Sequence, residues 1–145
     1  MKGFTLIELL AVIAIVGILA SAAVPMYKMA ATKARLAEVT NAISHVAAAL
    51  AAHHHEAVVN GAANIWPNCG SIAEIQTSLG VRLGAIERIS AASVNQGTGV
   101  ISVTVDKTDA SVDGSTITLT PLRAADSSIS WKWGGTIQPQ YLPKE

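Results

Sequence analysis

Phe4-Thr5-Leu6-Ile7-Glu8-Leu9-Leu10 opens an apolar run that continues unbroken to Val24, with Met1-Lys2-Gly3 before it and Pro25 after it. Glu8 is the only charge between Lys2 and Lys28. As a helix rising 1.5 Å per residue, Phe4 to Val24 is about 30 Å long, which matches the hydrocarbon core of a bilayer. A carboxylate in such a segment costs several kcal/mol unless it is paired, so Glu8 is a functional candidate from the outset. A secretory signal is the competing reading, with Ala20-Ser21-Ala22 as a small-residue cleavage site. The acid inside the run, the glycine before it and the helical pattern beyond it point instead to a segment that is retained.

Outward from that run, Gly17 and Pro25 weaken the helix. Proline lacks an N–H and obstructs the carbonyl four residues back, so a kink or a loosened turn is expected near Pro25. Helical character nevertheless resumes, since Leu36, Val39, Ile43, Val46 and Leu50 recur at spacings of three and four and form one apolar stripe. Lys33, Arg35, Glu38 and Asn41 fall largely off it. One helix from Phe4 to about Ala52 is the expectation. His53-His54-His55 follow, with His45 eight residues earlier. Adjacent histidines on a helix diverge, so the triplet is a poor metal site; it reads as a solvated helix end.

Residues 54–84 read as a connecting loop. Asn60-Gly61 and Trp66-Pro67-Asn68 are turn signals, and Ser71-Ile72-Ala73-Glu74 is a capping box for a short helix that Gly80 closes. From there the chain alternates in strand fashion. Ile86–Val94 reads as an edge strand, Asn95–Gly99 as a hairpin loop, and Val100–Asp106, Ser115–Pro121 and Ile129–Trp133 as strands with one apolar face each. The fold class is therefore α+β, a long N-terminal helix packed on a small antiparallel sheet.

The totals exclude several functions. Ten basic and ten acidic side chains balance, and no lysine or arginine block marks nucleic acid as an obligate partner. The one cysteine, Cys69, cannot form an intramolecular disulfide or a cysteine-built zinc site, and no base lies near it in sequence to make it a catalytic thiol. Asp109, Ser111, Asp113 and Gly114 follow the first half of a calcium loop, but Thr120 stands where the closing bidentate acid belongs, so a polar turn is the better reading. No catalytic residue, metal site or cofactor is expected.

Gly3 followed by Phe4-Thr5-Leu6-Ile7-Glu8-Leu9-Leu10 resembles the processing and assembly signal of type IV pilins and the related pseudopilins. The resemblance implies a leader at 1–3 removed after Gly3 by a prepilin peptidase, an N-methylated mature terminus at Phe4, and a role in assembly for Glu8. It implies a transmembrane and polymerisation helix at 4–27 and a globular head at 28–145. Within that head the helix continues to about residue 53, the connecting loop is 54–84, and the sheet and tail are 85–145. A freed Phe4 amine and the Glu8 carboxylate would be four residues apart on one helix face, so the amine of one subunit can meet the acid of the next. In assembled pili of this group the helix unwinds between a glycine and a proline that correspond to Gly17 and Pro25.

The end of the chain, Ile117–Pro121, Ile129–Trp133 and Gln140–Lys144, resembles the last strands and tail of a type IVa major pilin. That group usually ties its final strand to its tail with a disulfide. Here Trp133 and Gly134 stand where a cysteine is expected, so packing by Trp133, Pro139 and Tyr141 is expected to hold the tail.

The function implied is a non-enzymatic structural subunit of a type IV pilus. Its partners would be identical subunits, the prepilin peptidase, the inner-membrane assembly machinery, lipid before assembly, and DNA or a host surface. It would be single-pass in the inner membrane first and extracellular in a pilus afterwards, serving adhesion, twitching motility or DNA uptake. The alternatives are a pseudopilin of type II secretion and, from another class, a membrane-anchored binding module.

Overall fold

Helix α1 spans Leu6–Val59 and passes through Pro25 without interruption. The computed structural model describes residues 3–62, 66–84, 86–124 and 128–143. The expected leader residues Met1 and Lys2, the end of the tail at Lys144–Glu145, and part of the connecting loop lie outside the described residues. The chain divides into two units, Met1–Ala34 and Arg35–Glu145.

Two helix bounds differ from expectation. The start is Leu6, not Phe4, because Thr5 caps it. The end is Val59, not residue 53, because the apolar stripe continues through His54 and Ala57, both buried. Gly61, in the left-handed region at φ 66°, then stops the helix. Its N–H donates to the Val58 carbonyl at 3.2 Å and the Ala62 N–H to the Ala57 carbonyl at 2.9 Å, the paired reverse bonds of a Schellman cap. The connecting loop is correspondingly shorter than 54–84.

Within the second unit, Leu36, Val39, Ile43, Val46 and Leu50 are buried as the stripe requires, none more than 1% exposed. Burying each of these contributes about 1.5–3 kcal/mol. Helix α2, Ile72–Leu79, forms where its capping box predicts: the Ser71 hydroxyl accepts the Glu74 N–H at 3.3 Å, and Gly80 ends it at φ 67°. The Glu74 carboxylate reaches one residue past the N-cap and accepts the Gly70 N–H at 2.6 Å. Ile75 carries the α2 contribution to the core.

Strands β1 (Ile89–Val94), β2 (Ile101–Val105), β3 (Thr116–Arg123) and β4 (Ile129–Gly135) form one antiparallel sheet in chain order. The expected first strand begins three residues late, because Ile86–Arg88 is a 3₁₀ turn. A register shift between Ile89 and Ala91 then lets Ile89 and Ala92, three apart, both point inward. In β2 and β3 the alternation is regular, with Ile101, Val103, Val105, Ile117 and Leu119 buried against the helix stripe.

Strand β3 outlasts the expected stop at Pro121. Its pairing with β2 ends at Leu119, opposite Ile101, while its pairing with β4 runs on to Arg123. Pro121 thus sits on a margin where one side of the strand needs no donor, the condition under which a sheet accepts proline.

Of the residues expected to hold the tail, Trp133 and Tyr141 pack on the core, Pro139 does not, and backbone bonds contribute as well. After β4 the Thr136 N–H donates to the Thr116 carbonyl at 2.8 Å, and the Thr116 N–H to the Thr136 hydroxyl at 2.8 Å. Ile137 is then 4% exposed in the core. Tyr141 and Leu142 pack on the core as half-buried neighbours after a 3₁₀ turn at Pro139–Tyr141, whereas Pro139 is exposed. Trp131 and Trp133 are half-buried on β4.

Candidate functional site

In the first unit, every residue from Gly3 to Ala30 is exposed in the single chain. Phe4 is 89% exposed and Leu6 82%. A helix apolar on all sides belongs in lipid or in a core made with other molecules, and water is not its resting solvent. By length and composition this helix can cross a membrane.

Its amino-terminal end is a capping box that the charge argument overlooked. The Glu8 carboxylate accepts the Thr5 N–H at 2.9 Å and the Thr5 hydroxyl at 2.7 Å through the same oxygen, while the Glu8 N–H donates to the Thr5 hydroxyl oxygen at 3.4 Å. The signal was present as Thr5-x-x-Glu8. Glu8 therefore has local donors within its own chain, beside the positive end of the helix dipole. Phe4 precedes the cap and lies outside the helix, so Phe4 and Glu8 do not share a helical face in the single chain. Farther along, apart from its own helix backbone and chain neighbours, no atom of the described residues lies within 4 Å of where a Gly17 Cβ would be, and the Ser21 hydroxyl donates to the Ile18 carbonyl at 2.7 Å. Nothing inside the chain requires glycine at 17.

In the second unit the structure corrects the reading of the histidines as a solvated helix end. His54 is 8% exposed, four residues beyond Leu50 on the core stripe. Its ring packs at a tilt of 39° on Trp66 with centroids 4.5 Å apart, and its Nε2 is contacted by the Arg123 guanidinium. Arg123 also lies 5.7 Å over the Trp66 ring, a cation–π arrangement. The extension of β3 past Pro121 is what delivers Arg123 to the end of α1. Sequence spacing could not pair residues 54 and 123, which are 69 apart.

Burial first, then the positive charge of Arg123 and the neighbouring His55 and His53, hold the His54 imidazole below its ordinary value. His54 is thus neutral when folded, whereas the unfolded chain takes up a proton near pH 6.5. Its contribution to stability is complete above that pH and is lost as pH falls below it. Thermal unfolding of the full chain in detergent should show a melting temperature flat from about pH 8 to 7 and falling below about 6.5. His54→Gln keeps an acceptor for Arg123 and should flatten that fall; an unchanged slope would assign the acid sensitivity elsewhere.

Cys69 is fully buried and bridges the connecting loop to β1, its N–H and carbonyl both bonded to Val94. Burial raises its thiol above the ordinary range, which makes it a poor nucleophile. In the β2–β3 turn, Asp113 accepts the Thr108 and Asp109 N–H groups at 2.8 and 3.1 Å, and Asp109 accepts the Ser111 N–H and hydroxyl at 3.0 and 2.7 Å. Both acids cap their own turn. Two ties bind that turn to α1: Arg35 donates to the Thr108 carbonyl at 2.6 Å, and Arg88 bridges Glu38 at 2.8 Å while donating to the Lys107 carbonyl.

Two family models match. The pilin (bacterial filament) model covers residues 30–145, and the prokaryotic N-terminal methylation motif covers residues 1–24. Over 144 residues the chain is 33% identical to the fimbrial protein EcpC of Eikenella corrodens, spanning 98% of this chain and 88% of the relative. It is 31% identical over 137 residues to the type IV major pilin protein PilE of Neisseria gonorrhoeae, spanning 92% and 74% of the two chains. A fimbrial protein of Neisseria meningitidis is 31% identical over 141 residues, spanning 94% and 75%. With a helix stripe covering a four-stranded antiparallel sheet, and a pilin model matching residues 30–145, this chain belongs to the pilin family, as a structural subunit of a bacterial filament.

Proposed function

We propose that this pilin is made with a leader at residues 1–3, is cut after Gly3 by a prepilin peptidase, and is N-methylated at Phe4. Residues 4–27 then anchor it in the inner membrane until the assembly machinery draws it into a type IV pilus, with the head, 28–145, on the outside. The observation that carries this reading is the exposed apolar helix from Leu6 onward with one acid at its capped end. Transfer from lipid to a filament core gains little from the hydrophobic effect, since lipid is equally apolar. Packing and charge pairing must supply the specificity. Glu8 would pair with the Phe4 amine of a neighbour, Gly17 would admit close approach, and Gly17–Pro25 would loosen on assembly.

The names of the relatives, a type IV major pilin and two fimbrial proteins, favour a pilus over a secretion pseudopilin. Such a filament would serve adhesion, twitching motility or DNA uptake. Mass spectrometry of filaments sheared from cells tests the processing. The expected terminal residue is N-methylated Phe4; a terminus at Met1 in assembled filaments would end the proposal.

A further inference from the structure

Beside the His54–Arg123 contact is a cavity of about 280 Å³ lined by His54, His55, Val58, Arg123 and Ala124. That is room for roughly nine waters at liquid density. Three side chains able to carry positive charge thus meet at one concavity, two from the end of α1 and one from the end of β3. Among the described residues no carboxylate lies within ion-pair distance of Arg123. Glu56, the nearest acid on α1, lines a different cavity with His53 and Ser78. Asp126, in the β3–β4 connection, lies outside the described residues.

We propose that this cleft is an anion site that takes a phosphoryl group, free or as a monoester, with Arg123 as its permanent cation and His54 and His55 as further ring N–H donors. A guanidinium has five N–H donors, and the contact with His54 Nε2 occupies a single nitrogen, Nη2. Trp66 lies beneath the guanidinium at 5.7 Å, and the planar fork of arginine suits directed hydrogen bonds to a phosphoryl group. Val58 and Ala124, both exposed, complete the lining beside the charged groups.

Donor placement selects the ligand. Consecutive residues on a helix point about 100° apart, and Arg123 comes from a separate element, so the three side chains reach the cleft from divergent directions. A carboxylate presents its acceptors in one plane, whereas a phosphoryl group spreads them over a tetrahedron. The groups facing His54 are all cations or become so on protonation: His53 and His55 from α1 and Arg123 from β3. Trp66, packed on it from the connecting loop, does not titrate. Without an anion His54 is neutral and its Nε2 accepts from Arg123. A bound phosphoryl anion favours protonation of His54, which releases Arg123 so that both side chains donate to the anion, and binding strengthens on acidification.

The test is calorimetric and ³¹P NMR titration of the full chain in non-ionic detergent, with inorganic phosphate and separately with phenyl phosphate. Saturable one-to-one binding is expected near pH 6, weakening about tenfold by pH 8 and about tenfold in Arg123→Gln. Binding of both probes places an ester remainder in the cleft, and binding of phosphate alone restricts it to the free anion; either supports the site. Arg123→Gln removes the latch on His54 and is checked for folding by circular dichroism. His55→Gln, at an exposed position, carries the decision if that variant is unfolded, and should weaken binding several-fold. No saturable binding at pH 6, equal competition by acetate, or parent-like binding in the folded variants would overturn the proposal.

Discussion

Glu8→Val chains should insert in the membrane and lose their leader, yet fail to assemble, with filament yield falling by about two powers of ten. The scale follows from the cost of a charge left without its partner in an apolar core, on the order of 3 kcal/mol per subunit. Here the unpaired charge would be the Phe4 amine of a neighbouring subunit. The structure sharpens the experiment, because Glu8 also caps its own helix through Thr5. Glu8→Gln separates the two roles: glutamine at this position can still accept from the Thr5 N–H and hydroxyl, but it carries no charge. If pairing between subunits is what assembly needs, Glu8→Gln fails as Glu8→Val does. Filaments of normal yield from Glu8→Gln would reduce Glu8 to a cap. Gly3→Val is the companion control and should leave the leader attached.

Gly135→Ala should destabilise the second unit by about 3 kcal/mol or more, enough to abolish cooperative unfolding in a marginal domain. Gly135 has φ 127°, and a Cβ there would stand 2.1 Å from the Thr116 carbonyl oxygen. That carbonyl is also the acceptor that holds the chain after β4, taking the Thr136 N–H at 2.8 Å. Moving it aside breaks the hold, frees Ile137 from the core and loosens the tail. Limited proteolysis of the folded chain should therefore show cleavage near residues 136–143 before any cut in α1. A Gly135→Ala chain with parent-like melting and an intact tail would show that Thr116 can yield at little cost. Ile137→Ala tests the same tail without backbone strain, and deleting most of a buried isoleucine is expected to cost about 2–4 kcal/mol.

The legible parts of this fold are those written in short-range periodicity. The stripe from Leu36 to Leu50 and the alternation in β2 and β3 each repeat a local rule several times and are buried as that rule requires, while the cap of α2 forms from four consecutive residues. Misreadings arose where one residue type serves two rules. His54 looked like the polar end of a helix, yet it continues the stripe because Arg123 and Trp66 supply its polar and stacking partners. Pro121 looked like the end of a strand, yet β3 continues because its β2 side is already unpaired. Glu8 reads from sequence as the partner of a Phe4 amine, yet within its own chain Thr5 already supplies it with donors.

By itself, the order of residues determined that an apolar helix with one acid leads into an α+β head, since hydrophobic period and length are local quantities that survive without coordinates. Only the tertiary structure decided that His54 meets Arg123, that Ile137 and the Thr116 carbonyl hold a tail without a disulfide, and that Gly135 cannot be replaced. Those contacts join residues as far as 69 positions apart, and their geometry depends on register, strand margins and van der Waals fit. No local pattern encodes them.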